Sequence, residues 1–391
     1  MPSPLHSSAR WFWNARDPIA RLSRILVLAA LGWTALQWCC LPSHAGQPLQ
    51  EEWPRTDFSQ RTVELGSILS GGPPKDGIPA IDRPRFVDID QARDWLAARE
   101  PVVVVELADR ARAYPIQILM FHEIVNDRLG GIPIAVTFCP LCNSALTFDR
   151  RHDGRVLDFG TTGKSDLIMY DRQSESWWQQ FTGRGIVGEY AGAELQQIPS
   201  QILAFERFAE LYPRAEVLSR DTGYRRNYGS NPYVGYDDID QSPFLMRGGT
   251  DPRLRPMERV LAVELDGDWR LYPFSRFEGQ PVIEETWQDK PVVIFSRRDQ
   301  YSALDRASIA GSRLTHSSAA FRPEVDGRRL SFEAADNGFR DRETGSLWAL
   351  NGEALEGPLA GERLPRYQQG IHFAFAWLAF RPDSSIYGRN D

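Results

Sequence analysis

Val104-Val105-Glu106-Leu107, followed by Arg112-Ala113-Tyr114-Pro115, returns as Ala262-Val263-Glu264-Leu265 followed by Arg270-Leu271-Tyr272-Pro273, an offset of 158 residues. Gly154-Arg155-Val156-Leu157-Asp158-Phe159 returns as Gly327-Arg328-Arg329-Leu330-Ser331-Phe332 at an offset of 173. Asp171-Arg172 with Trp178 returns as Asp341-Arg342 with Trp348, and Ala204-Phe205-Glu206-Arg207-Phe208-Ala209 as Ala374-Phe375-Ala376-Trp377-Leu378-Ala379, both at an offset of 170. Matches in the same order at near-constant spacing mark an internal repeat. They predict two homologous halves, residues 100–225 and 258–391, each with its own core.

Within each half, short apolar or β-branched runs are separated by turn residues at intervals of about 8 to 12. In the first half they are Val102 to Leu107, Ile132 to Phe138, Leu146 to Asp149, Leu167 to Tyr170 and Gly185 to Tyr190. The expected fold is mainly β (α+β), each half a sandwich or barrel with one or two short helices. The helices are read at Ile116 to Val125 and at Leu203 to Leu211, where apolar residues recur every three or four positions before Tyr212-Pro213 ends the run. Residues 46–99 form a lead-in with a break at Gly71-Gly72-Pro73-Pro74 and one helix, Ile89 to Arg99. Residues 226–257, rich in Gly, Pro and Asp, read as a solvated connecting loop. Its Tyr233, Tyr236, Asp237 and Asp238 offer oxygen atoms, without the spacing of a calcium loop.

Residues 1–45 read as a secretory signal peptide: Arg10, Arg16, Arg21 and Arg24 precede the apolar stretch Ile25 to Leu36, and Ser43-His44-Ala45 supplies small residues for cleavage. Gln37 and Pro42 cut the apolar stretch short of the roughly 20 residues that a stable membrane span needs. The expected location is periplasmic or secreted. The whole chain carries 45 Lys+Arg against 52 Asp+Glu, a net charge of −7. Loss of those four arginines and Asp17 takes it to −10. Such a surface repels nucleic acid and leaves a small molecule or a metal as the expected partner.

Leader cleavage also removes Cys39 and Cys40. The remaining thiols are Cys139 and Cys142, in Phe138-Cys139-Pro140-Leu141-Cys142-Asn143-Ser144-Ala145. A thiol pair in an oxidising compartment is a disulfide, a metal site or a redox centre. A structural disulfide closing so short a loop contributes only about 2 kcal/mol. A thioredoxin-like pair needs a helix behind the first cysteine, whereas Ala145-Leu146-Thr147-Phe148 reads as another strand. Two soft thiolates with the His122 imidazole suit copper before zinc, and the thioethers of Met120 or Met169 would favour copper(I). The second half sharpens this reading. Position 122 is matched there by Gln280, and the cysteine pair by a polar turn, Ser296-Arg297-Arg298-Asp299-Gln300. Fold alone therefore requires neither the cysteines nor His122.

Phe121-His122-Glu123-Ile124-Val125-Asn126-Asp127, Val136-Thr137-Phe138-Cys139-Pro140-Leu141-Cys142-Asn143-Ser144-Ala145 and Met169-Tyr170-Asp171-Arg172 with Ser176-Trp177-Trp178-Gln179-Gln180 resemble a bacterial and archaeal family whose domain has no assigned function. The resemblance spans most of residues 100–391. It implies no activity, but it implies that the histidine, both cysteines and the tryptophan segment belong together.

The adopted expectation is a transition-metal site, copper before zinc, formed by His122, Cys139 and Cys142. The alternatives are a thiol enzyme or oxidoreductase with Cys139 as nucleophile and His122 as base, and a binding scaffold with a Cys139–Cys142 disulfide. Three other motifs carry less. Gly163-Lys164-Ser165 mimics a phosphate loop but has Asp158 where the upstream glycine belongs. Trp177, Trp178 and Trp348 read as core aromatics, and the repeated Asp-Arg pairs as structural salt bridges.

Overall fold

The repeated Arg-x-Tyr-Pro stretch is the second strand of an antiparallel hairpin in both places where it occurs. The computed structural model describes residues 49–389 except Leu245 and Arg247, so the expected leader lies outside the described residues. Leu49–Glu52 is a single helical turn in a first unit, and everything from Arg55 onward belongs to a second unit.

In the first half β1 (Pro101–Leu107) pairs with β2 (Arg110–Pro115), setting Val103 opposite Tyr114. Helix α1 (Ile116–His122) leads into a meander of β3 (Ile124–Leu129), β4 (Ile132–Cys139) and β5 (Ser144–Asp149). A small sheet comes next, in the order β6 (Phe159–Thr161), β7 (Ile168–Asp171), β8 (Trp177–Gln179), β9 (Arg184–Val187). The chain then returns through β10 (Ser200–Ala204), antiparallel to β1, helix α2 (Phe205–Leu211) and β11 (Glu216–Leu218), parallel to β2.

The second half runs through the same steps. β12 (Arg259–Leu265) and β13 (Asp268–Pro273) form the hairpin, and β14 (Val282–Trp287), β15 (Lys290–Tyr301) and β16 (Leu314–Phe321) the meander. β17 (Phe332–Ala335), β18 (Gly338–Asp341), β19 (Leu347–Trp348) and β20 (Ala354–Glu356) make the small sheet. β21 (Gln368–Phe373), helix α3 (Ala374–Phe380) and β22 (Ser385–Ile386) close the order β21-β12-β13-β22. The pairing senses are antiparallel, antiparallel, parallel, as in β10-β1-β2-β11.

The fold is mainly β, as expected, but no sheet among the described residues closes into a barrel. The sheets hold two to five strands, below the roughly eight that a closed barrel with a filled interior takes. Helix α1 stops at His122 rather than Val125, because the backbone reverses at Glu123 and β3 begins at Ile124. The Ile89 helix ends at Arg93. The polar turn expected at Ser296–Gln300 is strand instead: β15 continues through it with a bulge between Arg297 and Gln300. No helix among the described residues is long and apolar enough to cross a membrane.

The repeated residues occupy matching environments. Tyr114 Oη donates to Asp127 Oδ2 at 2.6 Å, and Arg112 pairs with the same carboxylate at 2.8 Å. Tyr272 and Arg270 do the same with Glu285. The Trp178 indole donates to Asp171 Oδ2 at 3.0 Å and the Trp348 indole to Asp341 Oδ2 at 2.9 Å. A buried indole N–H needs such an acceptor. The repeated aspartates thus anchor tryptophans and do not bridge to the arginines beside them: Arg172 pairs with Asp76, and Arg342 with Glu333.

The apolar interior is not divided between the halves. Val103, Tyr114 and Phe138 pack in one cluster with Val263, Tyr272 and Ile294, and Val102 and Phe205 in another with Phe295 and Trp348. Separate cores, expected from the repeat, are replaced by a shared one because the sheets of one half cover the faces of the other. Asp171→Ala and Asp341→Ala should each lower unfolding free energy by about 2–3 kcal/mol through an orphaned indole. Urea denaturation should show similar losses, and one near-neutral variant would mean that only one tryptophan is held this way.

Candidate functional site

Cys139 is the last residue of β4, paired with Ser144 at the start of β5, and Pro140-Leu141-Cys142-Asn143 makes the turn between them. Asn143 takes φ 47°, a left-handed conformation that asparagine tolerates, and its N–H donates to Pro140 O at 3.2 Å. The turn brings the Cys139 and Cys142 sulfurs to 2.6 Å, both as free thiols, so the structure holds no disulfide here. The chain leaves the turn as strand β5, as expected, so no helix N-terminus stands behind the pair. Burial pushes the Cys142 thiol well up, and the charges of Cys139, Asp166 and Glu123 add to this.

The second half holds this turn in place. Phe373 N–H donates to Cys142 O at 2.9 Å, and His372 Nδ1 lies 3.0 Å from Ser144 Oγ. Gln180 Nε2 donates to Thr137 Oγ1 at 2.9 Å and to Ser144 O at 3.3 Å. Phe373 and His372 do not stand out in the sequence, because their partners lie far along the chain.

Glu123 draws notice in the sequence only as a neighbour of His122. It caps α1 with φ 58° and ψ −30°, outside the regions that side-chain-bearing residues ordinarily adopt. Two bonds enforce the reversal: Glu123 N–H donates to Leu119 O at 2.7 Å, and Glu123 O accepts from Phe138 N–H at 2.8 Å. The side chain lines a cavity of about 510 Å³ together with Cys139 and has no hydrogen-bond partner among the described residues. Burial raises its carboxyl to about 8. Burial likewise lifts Asp166, close by in sequence to the cavity wall, to about 7.

His122 makes no hydrogen bond to either sulfur. Its Nδ1 donates to Pro79 O at 2.7 Å, which leaves Nε2 to accept from the Tyr228 hydroxyl at 2.6 Å. Both nitrogens are therefore committed elsewhere, and burial lowers the pKa of the ring. Met169 packs in the cluster that contains both cysteines, whereas Met120 belongs to another. Among the described residues no group of three or more His, Cys, Asp or Glu side chains is arranged to hold a metal ion.

The connecting segment forms the roof. The segment is the largely exposed loop that its composition suggested, and it also places Tyr233, Tyr236 and Phe244 on the cavity wall. Burial raises both phenols, Tyr236 to about 12, and the cysteine sulfurs add to the effect. Asp237 is fixed by Arg259 at 2.7 Å and Arg313 at 2.8 Å. That ion pair accounts for the aspartate without calcium.

Glu123 makes stability depend on pH with a definite sign. The folded protein keeps its proton up to about pH 8, while the unfolded chain releases it near 4.5. Its contribution therefore falls as pH rises between those values. Glu123→Gln has no proton to lose. Its melting temperature should exceed that of the wild type at pH 8 and converge with it at pH 5, and parallel curves would place Glu123 in contact with water.

No curated protein and no solved structure shows significant similarity to the chain. Residues 75–384 match the family described as protein of unknown function, DUF3179. The match takes in the two hairpins, both meanders, both small sheets and the cavity wall that carries the cysteines, and the chain belongs to that family.

Proposed function

We propose that the cavity is a thiol–disulfide site in which Cys139 meets the substrate, Cys142 resolves the mixed disulfide and Glu123 carries the proton. The carrying observation is the contact between two free thiols, of which Cys139 faces the cavity, beside a carboxyl with no other partner among the described residues. Cys139 as thiolate attacks one sulfur of a substrate disulfide. That S–S bond breaks, and the departing thiolate takes the proton of the Glu123 carboxyl, leaving a carboxylate. Cys142 passes its proton to that carboxylate, attacks the Cys139 sulfur and releases the second substrate thiolate, which takes a proton from water. Two electrons pass from the pair to the substrate, and an external dithiol restores the pair. A base is needed because burial holds Cys142 protonated, and a carboxyl near 8 is matched to that transfer. Glu123 takes the place expected for His122.

Metal uptake by the same thiols, copper before zinc, is the second reading, favoured by two soft sulfurs side by side. The thiol reading is preferred because no third His, Cys, Asp or Glu is arranged with the two sulfurs to hold a metal ion among the described residues. Export by the leader fits either reading. We also infer that the two halves arose by duplication, supported by their matching strand orders, with the chemistry kept in the first.

Reduced protein should consume disulfide and lose two thiols per chain by mass spectrometry. Cys142→Ser should accumulate the mixed disulfide on Cys139, and Glu123→Gln should slow the second step about 10²-fold below pH 8. Stoichiometric copper or zinc bound by the wild type, lost in Cys139→Ser and accompanied by no disulfide turnover, would decide for the metal.

A further inference from the structure

The cavity carries one more group that the thiol chemistry leaves unused. Lys164 is one of three lysines, and each of the others meets an acid: Lys75 pairs with Glu175 at 2.8 Å, and Lys290 with Asp266. Lys164 lines the cavity and has no carboxylate partner among the described residues. Its ammonium lies 5.7 Å from the centre of the Trp177 ring, a contact that holds a cation without neutralising it.

The loop bearing Lys164 is built into place. Gly71 N–H donates to Gly163 O at 2.8 Å and Ser165 N–H to Leu69 O at 2.8 Å. Gly163 takes φ 65°, and a Cβ there would collide with Pro73 O, so no other residue fits. Ser165 adopts φ 44°. Two unfavourable backbone requirements, one on each side, fix this lysine at the edge of the cavity that Cys139 faces.

We propose, building on the thiol reading, that the substrate is a small-molecule disulfide bearing a carboxylate, paired with Lys164 while its sulfur reaches Cys139. The size of the cavity, about 510 Å³, suits a small molecule. Cys139 is only 2% exposed, which keeps it from the disulfide of a folded protein. Apolar contact comes from Ile78, Leu167, Tyr233 and Phe244. The other acid on the wall does not oppose an anion at neutral pH, since burial holds Glu123 protonated up to about 8. Asp166 turns to Gln179, whose Nε2 donates to it at 3.2 Å. In a chain of net charge −7, a cation without a carboxylate partner at the edge of a largely apolar cavity selects for negative charge.

The test compares three disulfides on the full chain: glutathione disulfide (anionic), hydroxyethyl disulfide (neutral) and cystamine (cationic). The wild type should oxidise its thiols with glutathione disulfide at least about tenfold faster than with cystamine, after each rate is divided by that of a free model thiol. Lys164→Gln should bring that ratio close to one, and Lys164→Glu should invert it. Reaction with all three at a ratio that neither variant moves overturns the anionic-substrate inference and leaves the thiol site standing. No reaction with any of them overturns the thiol reading itself. A wild-type preference for cystamine also overturns the inference. Unchanged melting temperatures in both variants guard against loss of fold.

Discussion

A carboxylate sealed from water has to be neutralised, and Asp237 depends for that on two arginines of the second half. Its side chain is fully buried against Arg259 and Arg313, and removing one member of such a cluster costs about 3–5 kcal/mol. The ion pair does more than hold a loop. Tyr233 and Tyr236 stand just before it in sequence, so the position of Asp237 decides whether the cavity has a roof. A site whose reactive atoms all lie in the first half is thus completed by electrostatics rooted in the second.

The same dependence holds at the floor of the cavity. The Cys-Pro-Leu-Cys turn has no helix behind it, and its geometry comes from β4 and β5 together with Phe373 and His372. This changes the chemistry available. A dithiol at a helix N-terminus is activated by the dipole, whereas here burial raises the Cys142 thiol and activation must come from a proton acceptor. Glu123, proposed for that role, is held by a strained reversal that nothing in α1 or β3 would require by itself.

Much of the architecture was legible because β structure and repeats write themselves as local pattern. The Val-Val-Glu-Leu and Arg-Ala-Tyr-Pro stretches became β1 and β2, and their second copies β12 and β13, in equivalent pairings. The cysteine pair stood out in the sequence because the second half lacks it, and the fold sets it on a cavity wall. Three things were not legible. Glu123 looked like an ordinary helical acid beside His122, since a backbone reversal leaves no mark in composition. The roofing role of the connecting segment was hidden, because Gly, Pro and Asp report turns and say nothing of what the turns cover. The shared interior was hidden because apolar periodicity shows which face is buried and does not show what buries it.

The hydrogen bond from Phe373 to Cys142 spans 231 positions of the chain, and it has a consequence in time as well as in space. Contacts at such separation are made late, after the loop-closure entropy of the intervening strands has been overcome. Until β21 arrives, the Cys139–Cys142 turn lacks its final clamp, and until Asp237 meets Arg259 it lacks its roof. A chain still emerging from a ribosome therefore presents Cys139 and Cys142 unprotected on an unfinished sheet. Fold completion and burial of the two sulfurs become a single event, so every incompletely made chain carries them uncovered.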